Sequence, residues 1–348
     1  METTAHSLYP PSWLDRFTEW VERLPGRSWL FYPTLGLVLA LVPTVAHWAD
    51  GSYPIGTFNA FHIWLAVQAP FFLALIRYLD VAAEAALRDF RPALEVSEEE
   101  YIELRYRLTT ASARPALLSS LAGVAVAFLL IPLFPMMYTL VGWSTGPASV
   151  IAVGLTFLLL GVGGTVVYHT IYQLRLVNQI YATKAIVNLF DLSPLYAFSG
   201  LTSQTAVGLI IYNTMWFATA PQLLSQPVSI GFGVFWAVLS IVTFIWPLLG
   251  IHGRLAQEKQ RLLRESSQRL EATIAELHGR VDSGKSHTLD ELHVTRATLE
   301  ILEIERSMLT GIPTWPWRPE TLRGFVSALL LPLALFVIQF VLQRFFAQ

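Results

Sequence analysis

The chain has 348 residues, of which 54% are apolar, 13% aromatic and only 14% charged. Soluble domains carry about 25% charged residues, so this composition belongs to an integral membrane protein. The formal net charge of −2 gives no reason to expect a nucleic-acid partner, and the absence of cysteine excludes disulfides, thiolate catalysis, Fe–S clusters and cysteine zinc sites.

No cleavable leader is expected in residues 1–27, because Asp15, Arg16, Glu19, Glu22, Arg23 and Arg27 precede any long apolar run. Trp13, Leu14, Phe17, Trp20, Val21 and Leu24 share one helical face opposite these charges, which predicts an amphipathic helix lying in the membrane interface and stopped by Pro25-Gly26. The first span follows from Ser28 to Ala49, with Trp29 and Trp48 at its two headgroup levels. A short turn through Asp50 and Pro54 leads to a second span from Thr57 to Ile76.

The charged connection 77–114 predicts two short helices outside the membrane, with a capping box at Ser97 and Glu100. From Pro115 to Leu174 there is no charged residue, enough for two spans at about 20 residues each. A polar segment from Arg175 to Asp191 separates these from a second charge-free block, Leu192 to Gly253, which holds spans five and six. The sixth continues as a charged helix with Leu263, Leu270, Ile274, Leu277 and Val281 on a heptad-like stripe. After a break at Asp282–His287, Thr288 and Glu291 cap a returning helix whose apolar face is Leu289, Leu292, Leu299 and Leu302. Residues 254–312 are therefore a helical hairpin, and residues 313–348 form the seventh span. The fold class is an all-α membrane protein: a six-helix domain, 28–253, then the hairpin and the last span. Of 23 Lys and Arg residues, 22 fall on one side, which by the positive-inside rule places the amino terminus and hairpin in the cytoplasm and the carboxyl terminus outside.

Several chemical patterns have simpler explanations. Gly279 to Ser286 matches GxxxxGK[ST] letter for letter, but a heptad-patterned helix, not a strand, runs into the first glycine, so it is read as a hairpin turn. Glu276, His278, Glu291, His293 and His287 could gather around a divalent metal, yet all flank the apolar stripes and are read as solvated. His47, His62 and His169, at or within spans, each read as solitary. Gly161, Gly163 and Gly164 mark a close helix contact. No catalytic constellation is present, so no enzyme activity, cofactor or metal is expected. Aromatics crowd the outer half, and Trp64, Tyr138, Tyr212, Trp216, Phe232 and Trp236 are candidates to line a pocket for a small organic ligand.

The last span departs most from a plain lipid-facing helix. Its twenty uncharged residues between Arg323 and Arg344 contain Pro332, which removes the hydrogen bond to the Ala328 carbonyl. Pro332, Leu335, Phe336, Gln339 and Gln343 fall on one face, and two amides facing hydrocarbon would be costly. This face predicts a water-accessible path, with Phe336 placed to close it by dewetting.

Topology and last helix together resemble the insect gustatory and odorant receptors and their relatives in the seven-transmembrane ion channel superfamily, as a distant, prokaryotic-type member. Their last-helix signature of Thr-Tyr, five mostly apolar residues and Gln-Phe is matched in part: Gln339-Phe340 follows Ala334 to Ile338, and Pro332-Leu333 stands where Thr-Tyr would be. The resemblance implies a homotetramer in the cell membrane, with last helices around a monovalent-cation pore, a hydrophobic gate near the glutamine, and an outer-half ligand pocket. It also implies that the hairpins anchor the subunits, here through Leu263, Leu270, Leu277, Leu292 and Leu299. Two other functions compete: a sensor subunit signalling to a partner through the hairpin, and a transporter, although internal repeats and buried charges are not evident.

Overall fold

The computed structural model describes residues 8–133, 146–219, 227–282 and 289–346. Among them are eleven α-helices: α1 Trp13–Arg23, α2 Phe31–Ala49, α3 Ala60–Phe90, α4 Glu98–Thr109, α5 Ala113–Leu133, α6 Pro147–Thr183, α7 Ala197–Thr219, α8 Pro227–Ile245, α9 Leu249–Asp282, α10 Leu289–Gly311 and α11 Pro319–Phe346. Four helical stretches are long and apolar enough to cross a membrane, 28–49, 60–93, 148–183 and 229–282, and the apolar stretch of α5 is shorter, Ala113–Leu129.

Helix α7 is not among those four because Ser199, Thr202, Ser203, Gln204, Thr205 and Asn213 dilute its apolar residues. Its place in the fold explains its composition. It packs against α3, α8 and α11, and most of its length from Phe198 to Asn213 is buried. A helix shielded by protein on several sides need not be lipophilic. Its threonines satisfy their hydroxyls on carbonyls one turn back, as Thr205 does on Leu201 at 2.9 Å.

Two boundaries differ from the sequence expectation. Helix α3 runs unbroken from Ala60 to Phe90, and α6 from Pro147 to Thr183, so each absorbs part of a polar connection that was expected to lie apart from the spans. Charge marks where lipid ends, not where a helix ends. Beyond Arg77, α3 keeps its apolar stripe through Leu79, Ala83, Ala86, Leu87 and Phe90, all buried against α6 and α7 elements such as Tyr181 and Phe198. Only one separate helix, α4, remains in the connection, and it begins at the expected cap, where the Ser97 hydroxyl accepts from the Glu100 N–H at 3.2 Å.

Helix α1 is amphipathic as expected, but part of its apolar face seats on protein. Leu14 and Val21 are fully buried in the cluster that holds Phe61, Leu65 and Phe72, while Trp20 stays exposed. Its cap is Ser12, paired reciprocally with Asp15. The Asp15 carboxylate also accepts from the Ala111 N–H at 3.0 Å, and the Trp13 indole donates to Thr165 at 3.2 Å, so the helix is pinned to α5 and α6. Beside it, burial pushes the Tyr9 and Tyr106 hydroxyls up from their ordinary range.

Helices α5 and α6 touch almost backbone to backbone. A Cβ on Gly164 would lie 2.1 Å from the Ser119 carbonyl oxygen, and one on Gly123 2.0 Å from that of Leu160. Gly164, and less tightly Gly161, therefore serve the expected close contact, whereas Gly163 has nothing within 4 Å of its Cβ position. Helix α8 continues through a 3₁₀ turn at Trp246–Leu248, where Pro247 lacks an N–H, into α9.

Candidate functional site

The last helix is held at its entrance by stacked rings. His252 of α9 lies face to face with Trp315 at 3.9 Å, Trp315 on Trp317 at 4.5 Å, Trp317 on Phe244 at 5.5 Å, and Phe244 on Phe325 of α11 at 4.3 Å. The His252 Nδ1 bonds the Thr314 carbonyl at 3.0 Å, and the Lys259 ammonium donates to the carbonyls of Thr310 and Ile312 at 2.7 and 2.8 Å. The Pro/Trp segment is thus a rigid joint that ties α9 to α11, with rings doing the packing and prolines limiting the backbone.

From this joint α11 leans on α7, and Val326, Leu330, Leu331, Val337 and Ile338 remain exposed. Its backbone stays helical through the half-buried Pro332. Leu335, Phe336, Gln339, Phe340 and Gln343 all belong to this helix, and their side chains lie outside the described residues.

The expected pocket residues do come together. Trp64 meets Tyr212 at 6.0 Å, Tyr212 meets Trp236 at 5.1 Å, Phe232 meets Trp236 at 5.9 Å, and Trp216 meets both Phe232 at 6.2 Å and Phe61 at 5.6 Å. Tyr138 lies outside the described residues. The cluster joins α3, α7 and α8 and is closely packed around buried Trp64 and Tyr212. Within the same region the indole nitrogens of Trp64 and Trp236, the Tyr32 hydroxyl and both amide atoms of the fully buried Gln68 have no hydrogen-bond partner among the described residues. Gln68 falls one turn from Trp64 and one turn from Phe72, both of which pack on Tyr212. Unpaired polar groups in an apolar, aromatic setting are costly.

The histidines read as solitary are not. His169 Nε2 lies 2.9 Å from Asp80 Oδ1, with both side chains nearly inaccessible, and the Gln173 amide donates to the Leu108 carbonyl at 3.0 Å and approaches Asp80 at 3.5 Å. His47 stacks on His62 at 4.8 Å and lies 4.7 Å from Tyr53. Asp80 was missed because it was assigned to a solvated connection. The available signal was periodicity: Ile76, Asp80, Ala83 and Leu87 recur at three and four, which puts the carboxylate on the buried stripe once α3 is allowed to continue. On α6, Thr165, His169, Gln173 and Val177 recur every four residues, so the imidazole faces inward with them.

In the hairpin, α9 and α10 pack together, with Ser266, Leu302 and Leu309 buried and Leu263, Leu270, Leu277 and Leu299 half-buried. Leu292 is exposed instead of facing the other arm. Arg269 and Glu305 bridge the arms at 3.7 Å, and Glu276 pairs with Arg280 on its own helix. A second apolar stripe, Val294, Ile301, Ile304 and Met308, is exposed on α10. Gly279 sits inside α9, so helix leads into the phosphate-loop pattern as expected; its residues 283–286 lie outside the described residues, as do His287 and the proposed cap Thr288. Comparison with protein-family models, curated proteins and solved structures finds no match to this chain.

Proposed function

We propose that the chain is a subunit of an oligomeric cation channel, with seven spans, a cytoplasmic amino terminus, an external carboxyl terminus and a pore lined by α11. The single observation that carries this reading is the position of α11. Among the described residues it is anchored rigidly at its entrance, rests chiefly on α7, and leaves Val326, Leu330, Leu331, Val337 and Ile338 uncovered. Copies related by a closed rotation would bring such helices together around an axis, and the Gln339 and Gln343 positions share one helical face there. The resemblance to the seven-transmembrane ion channel superfamily supplies the tetramer and the gate at Phe336. The aromatic cluster around Gln68 is the proposed ligand site, accepting a small organic molecule with hydrogen-bonding groups.

The cysteine-free chain allows a direct test. Single cysteines at 335, 336, 339, 340, 341 and 343 are exposed to a charged thiol reagent while current is recorded from purified protein in a planar bilayer. Modification at Gln339→Cys and Gln343→Cys blocks current, and Phe340→Cys and Val341→Cys stay protected. Absence of that periodicity, or of any conductance, sinks the channel reading. The exposed stripe on α10 favours one alternative, a transducer that passes a signal to a partner protein, which such a failure would promote.

A further inference from the structure

Helices α3, α7 and α11 meet incompletely and leave a lateral slot of about 570 Å³. Its floor is one face of α7, where Gly200, Ser203, Gln204, Gly208 and Ile211 recur at helical spacing. Phe71, Leu75 and Tyr78 of α3 form one wall, and Glu320, Thr321, Gly324 and Ala328 of α11 form the other. Glycines in membrane helices ordinarily mark close helix contact, as Gly208 does against Leu75. Gly200 and Gly324 do not: neither has any atom within 4 Å of its Cβ position. The slot is therefore a built groove that the described helices leave unfilled.

Its polarity runs in one direction. The apolar end is made by Phe71, Ile211 and Ala328, and the other end carries the Tyr78 hydroxyl, Thr321 and the exposed carboxylate of Glu320, the one charged side chain in its lining. Between them, Gln204 and Ser203 line the middle of the floor. From Gly200 to Ile211 the floor is about 16 Å long at 1.5 Å per residue, close to the roughly 15 Å of one leaflet's hydrocarbon core. An extended acyl chain matches the length and the direction.

We propose that this slot is a lipid-binding site that holds one acyl chain of an ethanolamine phospholipid from the leaflet nearest the hairpin. The ammonium headgroup meets Glu320 as a charge-assisted donor, and the chain runs over Gly200 and Gly324 and past Leu75 toward Ile211. The site rests on the membrane placement of α3, α7 and α11 and does not depend on conduction.

The full chain, purified in mild detergent from ethanolamine-containing membranes, is washed, and bound lipid is counted per chain by mass spectrometry. One ethanolamine phospholipid per chain is expected to survive the wash. Gly324→Leu and, from the opposite side of the slot, Gly200→Leu should each reduce retention at least about tenfold, because both have open space for the added side chain and project it where the lipid lies. In vesicles mixing ethanolamine and glycerol headgroups, Glu320→Gln should keep a lipid but lose an ethanolamine preference of about tenfold, the scale of one charge-assisted bond. Retention unchanged in both leucine variants, or no lipid on the parent protein, overturns the proposal. A change of oligomeric mass in those variants with lipid retention intact assigns the slot to a second copy and overturns it equally.

Discussion

Among the described residues, removing the Asp80 carboxyl would leave the His169 imidazole buried with neither ring nitrogen bonded, since Nδ1 has no partner and Nε2 has only Asp80. Leaving a buried hydrogen-bonding group without its partner costs about 1–3 kcal/mol, more where the pair is charged, whereas replacing both sides by apolar residues is often neutral. Asp80→Ala is therefore expected to lower the detergent-solubilised melting temperature steeply, and Asp80→Leu with His169→Leu to recover most of the loss. A double variant no better than the single one would show that the pair's wider contacts, Gln173 and Leu108, carry the stability instead. At this scale the sequence was legible for types and illegible for partners. It displayed one histidine and one aspartate 89 positions apart, and nothing in either neighbourhood encodes that α3 and α6 cross at that height.

Two of the elements are read correctly from pattern and two are not. The glycines of the fourth span predicted a close crossing, and Gly164 against Ser119 supplies it. Gly164→Leu must displace a backbone carbonyl, so it should destabilise the protein by about 1–3 kcal/mol or more, while Gly163→Leu, with open space, should cost far less. Denaturant titration of the two variants separates them, and equal losses would mean that helix propensity, not the crossing, sets the effect. The amphipathic first helix was also legible, because its period of apolar residues is physical whether lipid or protein covers them. Which of the two covers Leu14 and Val21 was not, since both surfaces are apolar. The lengths of α3 and α6 were misjudged for a related reason: Arg77, Glu84 and Arg88 are good helix formers that end a span without ending a helix.

For the whole molecule, the hairpin is the surface proposed to join subunits. Its arms already bury Leu302 and Leu309 against one another, and the stripe of Val294, Ile301, Ile304 and Met308 remains uncovered. Leu270→Glu with Leu277→Glu is expected to dissociate the oligomer, and Ile301→Glu with Met308→Glu, which touch no buried core within one chain, should do so with the monomer intact. Mass measurement in mild detergent checks both, and an unchanged oligomer in the second variant removes the hairpin from the interface. By itself the sequence determined a helical membrane protein, the continuation of an apolar helix near residue 250 into a charged helical arm, and an apolar last helix that carries Pro332 and two glutamines. Those follow from composition and local period, which every residue carries with it. Only the tertiary structure decided that α7 is shielded, that Asp80 meets His169, that the aromatics of α3, α7 and α8 close around a Gln68 with no hydrogen-bond partner among the described residues, and that α3, α7 and α11 leave a slot. These depend on which helices are neighbours and at what height they cross, and in an apolar chain many pairings bury similar area, so one-dimensional pattern does not distinguish among them.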